Sequence, residues 1–344
     1  MTNKPGRIIF YRYRFLLLAL LVFGILFAWM NSSLLTTNVY YQQKHEPTAA
    51  QIAHDKNQHD LRVTLSLDHQ SINDYVNRRD AVFTRTSEQK FEVTKGTQGE
   101  QLTPDSGLVA IVSLMIGVIF ALFGRRNHFN EWMRGSGIKN RKVNTTQLMT
   151  WLLAFNLVVL LNQVVWFTTL FTQVASQNIH LTFISGLAVL VLNQVVTNVW
   201  LLMGIVLGTI INSALAALFY GFFVSFMLTT CHVTLANHRD LSLDWLYNPG
   251  AYTVGVIILA LVLIAGLSLW YVRLAGRLSY EGRTTLLAFP RWNLVFAVLL
   301  LVGTFAVMTS FRYYSWEPFA IVIGLAGVMG WQIYGERWRG SVTE

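Results

Sequence analysis

The feature that most constrains this chain is a series of long apolar runs without charge, at about 15–31, 107–124, 148–171, 181–229, 251–271, 292–311 and 317–335. A helix needs roughly 18 to 20 apolar residues to cross the ~30 Å hydrocarbon core of a bilayer, and several of the runs reach that length. Hydrophobic residues make up 53% of the chain and charged ones 12%, about half the charge fraction of an ordinary soluble domain. A water-soluble globule is excluded, and the expected fold class is an all-α polytopic membrane protein.

The fourth run is too long for one crossing. Its 49 residues make a helix of roughly 73 Å at ~1.5 Å per residue, so a reversal is expected, best placed at Gly208–Ser213. That gives eight spans. The distribution of Lys and Arg tests this count independently, because short cytoplasmic loops carry an excess of both. With eight spans and the N-terminus inside, segments 1–14, 125–147, 272–291 and 336–344 are cytoplasmic and hold 4, 6, 4 and 2 basic residues, whereas the short outer loops hold only Arg239 and Arg312. A single crossing over 181–229 would put Arg273, Arg277, Arg283 and Arg291 outside. Both termini are therefore expected in the cytoplasm, in a multi-pass protein of the cell membrane.

The first run follows Lys4, Arg7, Arg12 and Arg14 but ends Phe27-Ala28-Trp29-Met30-Asn31 without a small-x-small cleavage site, so residues 1–31 read as an uncleaved anchor. Tyr11, Tyr13 and Trp29 are its expected interfacial aromatics. Residues 32–105 form a polar insert with 8 basic and 10 acidic residues, expected outside the membrane. Leu61–Leu67 alternates like a strand, Phe91–Thr94 does so more weakly, and Thr48–Asn57 and Ser71–Arg79 look helical. The expectation is a small extracytoplasmic α+β module, with a partly ordered hairpin as the alternative. Residues 106–344 then form the transmembrane bundle, carrying the cytoplasmic segment 125–147 and the basic loop 272–291.

One internal echo occurs, Leu161-Asn162-Gln163-Val164-Val165 and Leu192-Asn193-Gln194-Val195-Val196. With Asn156 and Asn198, these amides serve either as interhelical hydrogen-bonding glue or as the polar lining of a translocation path. Gly204 and Gly208 form a GxxxG pair that permits close helix approach.

The chemistry is informative by what it lacks. No Asp, Glu, Lys, Arg or His lies well inside any apolar run. Ion-coupled carriers place such groups at membrane depth, so a secondary transporter is disfavoured. The sequence also has no GxxxxGK[ST] phosphate loop, GxSxG elbow or HExxH motif. The single cysteine, Cys231, rules out an internal disulfide framework. His232, His238, Asp240 and Asp244 share the 230–250 loop and could support a metal site or an acid–base pair. Solvated side chains at a span end explain them equally. An enzyme or sensor acting at the outer face through this loop and the insert is the alternative function.

The layout resembles an ABC-2-type exporter permease: a basic N-terminal segment, one span, a large external insert, a second span, then a basic cytoplasmic segment leading into an apolar bundle. The stretch Leu269-Trp270-Tyr271-Val272-Arg273, with Tyr280-Glu281-Gly282-Arg283 and Leu287-Ala288-Phe289-Pro290, is similar to the run before the last two spans in an eight-helix branch of that family common in Gram-positive bacteria. The segment 125–147 lacks the family's usual Leu-Pro-x-Ser-Arg, and Thr150-Trp151 stand where a Lys often opens span three.

The resemblance implies that 125–147 is a coupling segment docking a separate cytoplasmic ATP-binding subunit, with Glu131, Trp132, Arg134, Lys139, Arg141 and Lys142 as its contacts. It also implies a second permease subunit, identical or different. Membrane lipid is a further partner; no cofactor, catalytic residue, metal ligand or nucleic acid is expected. ATP hydrolysis would belong to the partner, and export is favoured over import. Peptide antibiotics, amphiphilic drugs, lipids and glycan precursors all stay open as substrates.

Overall fold

In lipid, every backbone N–H and C=O must find its partner within the segment, which an apolar run achieves by coiling into a helix. The computed structural model follows this rule along the described residues, which are 5–45, 48–57, 72, 84–85, 91–92, 107–125, 132–133, 135, 137–173, 183–237, 251–277, 287, 293–310 and 317–340. Among them lie α1 Pro5–His45, α2 Ala49–Asn57, α3 Gly107–Arg125, α4 Asn140–Gln173, α5 Phe183–Ile210, α6 Ala214–Asn237, α7 Ala251–Arg277, α8 Asn293–Ser310 and α9 Glu317–Gly340. Four stretches are long and apolar enough to cross a membrane, Gly6–Met30, Asn140–Gln173, Leu190–Ile210 and Ile257–Gly276. Shorter apolar helices run Val109–Gly124, Ala214–Ser225, Asn293–Phe305 and Ile321–Gln332. The chain is thus a helical membrane protein.

Helix ends follow local chemistry. α1 continues well past its apolar run because no Gly or Pro interrupts Ala28 to Glu46; Pro47 then disfavours helical backbone at the residue before it. Thr48 opens α2 with a capping box. Its N–H donates to Gln51 Oε1 at 2.7 Å while the Gln51 N–H donates to Thr48 Oγ1 at 3.4 Å. The reversal falls where expected, with Ile211, Asn212 and Ser213 between α5 and α6. Ser213 caps α6, its Oγ accepting from the Ala216 N–H at 3.4 Å.

In the insert, Thr84–Arg85 pairs antiparallel with Phe91–Glu92, touching the weaker expected strand. Such a ladder is too short to hold a module by itself. The stronger expected strand, Leu61–Leu67, lies outside the described residues, as does the expected helix 71–79 apart from Ile72.

Contact register fixes the helix directions. α1 and α4 run parallel, with Gly6 facing Thr146 and Gly24 abutting Val158. α3 and α5 also run parallel, Leu114 opposite Gly204 and Ala121 opposite Gly208. α4 is antiparallel to α5, since Asn156 meets Asn198 while Gln163 meets Leu190. It is antiparallel to α7 as well, where Asn140 reaches Gly276 and Asn144 reaches Val272. α6 and α8 are parallel, with Tyr220 on Phe296 and Met227 on Gly303, and Tyr220 Oη donates to Gln332 Oε1 of α9 at 2.9 Å.

The α3–α5 approach is backbone on backbone. A Cβ at Gly117 would collide with the Leu201 carbonyl, and one at Gly204 with the Leu114 carbonyl. The expected GxxxG pair is therefore a packing device, and Gly117 supplies its counterpart on the facing helix.

Candidate functional site

α4 carries the residues that distinguish this bundle from inert packing. Gly137 turns into it with φ of 81°, a left-handed conformation that glycine adopts without strain. The Lys139 carbonyl then receives the N–H groups of Lys142 at 2.9 Å and Val143 at 3.2 Å. Lys139, Arg141 and Lys142 are exposed on this first turn, and Trp132 is 59% exposed beside the fully buried Met133. Of the expected coupling residues, Glu131 and Arg134 lie outside the described residues.

The opposite face of the same turns is buried and polar. The side-chain amide of Asn140 donates to the Gly276 carbonyl at 3.5 Å and that of Asn144 to the Val272 carbonyl at 3.3 Å, tying the start of α4 to the end of α7. The Gln147 amide donates to Tyr13 Oη on α1. Trp151 is fully buried, stacked on Phe120 of α3 at 5.4 Å, edge-on to Tyr13 at 5.7 Å and tilted against Tyr271 of α7 at 5.9 Å. Four helices therefore meet at one indole. Tyr13, expected at the interface, is instead 1% exposed, because α1 lies along α4 and gives its hydroxyl a buried partner. Asn144 Oδ1, Gln147 Oε1 and Trp151 Nε1 are buried without hydrogen-bond partners among the described residues, a costly state for polar atoms.

Two to three turns further along α4 the expected amides divide into two groups. Asn156 and Asn198 exchange hydrogen bonds, Nδ2 to Oδ1, at 3.1 and 2.8 Å, and Gln194 Nε2 donates to the Asn156 carbonyl at 3.1 Å and to its side-chain oxygen. These three are interhelical glue. Asn162, Gln163 and Asn193 instead line a cavity of about 60 Å³ with Ser113 and Thr197, two residues the sequence reading missed. The signal for Thr197 was present in the sequence: Asn193/Thr197 and Gln194/Asn198 are i, i+4 pairs on adjacent stripes of α5.

The cavity lies at the seam between two helix pairs. α1 contributes Phe23, Gly24 and Phe27, α4 the amides and Phe155, α3 Ser113 and Ile116, and α5 Asn193 and Thr197. Among the described residues its lining contains no ionisable side chain and is mostly apolar. Thr197 Oγ1 donates to the Asn193 carbonyl at 2.6 Å, and Asn193 Oδ1 has no hydrogen-bond partner among the described residues. The polar side chains of the cavity thus offer hydrogen-bonding groups, among them the Asn193 oxygen, and no charge.

The outer-loop candidates His238, Asp240 and Asp244 lie outside the described residues, and no side chain is described for His232. Among the described residues no group of three His, Cys, Asp or Glu side chains converges to hold a metal. In comparisons with known proteins, no family model, no curated protein and no solved structure matches this chain.

Proposed function

We propose that this chain is the membrane-spanning subunit of an ATP-driven exporter, moved by a separate cytoplasmic ATPase and working beside a second permease subunit. The observation that carries the reading is the make-up of α4. One continuous helix of 34 residues, about 51 Å long at ~1.5 Å per residue, bears an exposed basic handle at its start and an uncharged polar cavity further along. It outreaches the ~30 Å hydrocarbon core, so its first turns project from the membrane. A partner that displaces the handle displaces the cavity wall.

The helix directions support eight crossings with both termini in the cytoplasm. α1, α4, α6 and α8 take one direction and α3, α5, α7 and α9 the other, the alternation that consecutive spans require. In this arrangement Ile211 and Leu287, which form an antiparallel bridge, both belong to cytoplasmic connections, and residues 46–106 lie outside as an insert between the first two spans. A bundle driven by an ATPase needs no charged relay at membrane depth, only two arrangements of its helices.

Energy coupling provides the test. Purified in mild detergent with its partner bound, the chain is expected to support vanadate-sensitive ATP hydrolysis, and stripped of the partner to support none. Turnover by the stripped chain would overturn the proposal and favour an enzyme.

A further inference from the structure

Resting on the permease reading, we infer that the cavity between the α1/α4 and α3/α5 pairs binds an uncharged amphiphile, an apolar body bearing a hydroxyl or amide donor, taken sideways from the bilayer. The site lies within one subunit and needs no second copy to be complete.

Each part of this ligand's description answers to a feature of the cavity. The lining is mostly apolar and, among the described residues, holds no counter-charge, so an ammonium or carboxylate head would be desolvated without compensation. The lining offers the oxygens of Thr197 and Asn193, and Asn193 Oδ1 is buried without a hydrogen-bond partner among the described residues. A ligand O–H or N–H there supplies the missing donor. One end reaches the membrane-facing surface: Phe23, which lines the cavity, is 42% exposed. A volume of about 60 Å³ exceeds what a single water needs and suits a small head with its first methylenes, the tail lying along Phe23 and Phe27 toward lipid.

Gly24 shapes this wall. A Cβ there would collide with Val158 Cγ1, so α1 and α4 approach closely where both line the cavity. The two pairs are joined by the Asn156, Asn198 and Gln194 amides and by Trp151 on Phe120, and the cavity lies on the same α4–α5 seam.

The test uses Ser113→Cys in a Cys231→Ser background, in phosphatidylcholine nanodiscs, with the rate of modification by the small uncharged reagent methyl methanethiolsulfonate as readout. 1-Octanol is expected to slow modification saturably. Octanoate and octylammonium at equal membrane mole fraction should not. Adding Asn193→Leu is expected to raise the half-protecting concentration of octanol about tenfold, ~1.4 kcal/mol. Equal protection by all three probes, or protection by none, would overturn the site, and this comparison needs no second substitution should Asn193→Leu fail to fold. Because the measurement requires no ATPase, its failure is distinguishable from failure of the permease reading, which is judged by nucleotide hydrolysis alone.

Discussion

Single side chains divide into those packed inside the bundle and those presented on its surface. Gly117 and Gly204 belong to the first kind. Gly117→Ala or Gly204→Ala sets a methyl against a facing backbone carbonyl that has no rotamer to yield, and overpacking of this sort costs about 1–3 kcal/mol. The lipid-side Gly266, with nothing near its would-be Cβ, is the control, since Ala there is neutral or better by up to ~1 kcal/mol. Thermal unfolding of the purified variants in detergent should separate the two groups clearly. The reciprocal amides Asn156 and Asn198 should be coupled: each change to Leu removes the pair's mutual hydrogen bonds while the other amide keeps its remaining partners, and the double variant should lose less than the sum, by about 0.5–2 kcal/mol in a double-mutant cycle. Trp132 belongs to the second kind. An exposed indole beside basic residues is the residue type that anchors protein interfaces, and Trp132→Ala is expected to weaken ATPase association by about 2 kcal/mol, roughly thirtyfold, in a binding titration.

At the level of elements, what was legible in the sequence and what was not have one physical cause. The positions of the helices were legible because a bilayer demands unbroken apolar length, and the turn at Ile211–Ser213 because 49 apolar residues overrun the membrane. Which helices pair was not legible. Lipid is as apolar as Leu, so Leu153 at 67% exposed and Leu148 at 2% carry the same hydrophobic signature, and the parallel pairing of α1 with α4 leaves no pattern to read. Polar residues escape this ambiguity only in part. The repeated Leu-Asn-Gln-Val-Val left open whether its amides join helices or line a path, and which helix each amide would meet, because that depends on the pairing of the helices. The stripe Asn140, Asn144, Gln147 and Trp151, at i, i+4, i+7 and i+11, was a further signal that passed unread. Tyr13 was misplaced for a related reason, an aromatic near a span end being equally suited to the interface or to a buried hydrogen bond. α4 as a unit yields a prediction of its own. Lys139→Glu with Arg141→Glu should abolish ATPase association and transport, with membrane insertion checked in parallel because these charges also orient the chain, while changes at His232 and Asp240 should leave transport intact.

For the whole molecule, the α1/α4 and α3/α5 pairs meet along amide and aromatic contacts, and the basic handle opens α4. Its topology is open to a direct check, because Cys231 should sit at the outer end of α6, within reach of a membrane-impermeant maleimide in intact cells; labelling only from the cytoplasmic side would reverse the bundle. The central claim is that nucleotide turnover on a partner moves α1/α4 against α3/α5. Spin labels at Leu18→Cys on α1 and Phe123→Cys on α3, both on the exposed surface and in a Cys231→Ser background, report that displacement as a change in their distance distribution. In the complex with its ATPase, the distribution should shift between the nucleotide-free and vanadate-trapped states, and the shift should vanish with Lys139→Glu/Arg141→Glu. An identical distribution in both states, in a complex that hydrolyses ATP and transports, would contradict the account.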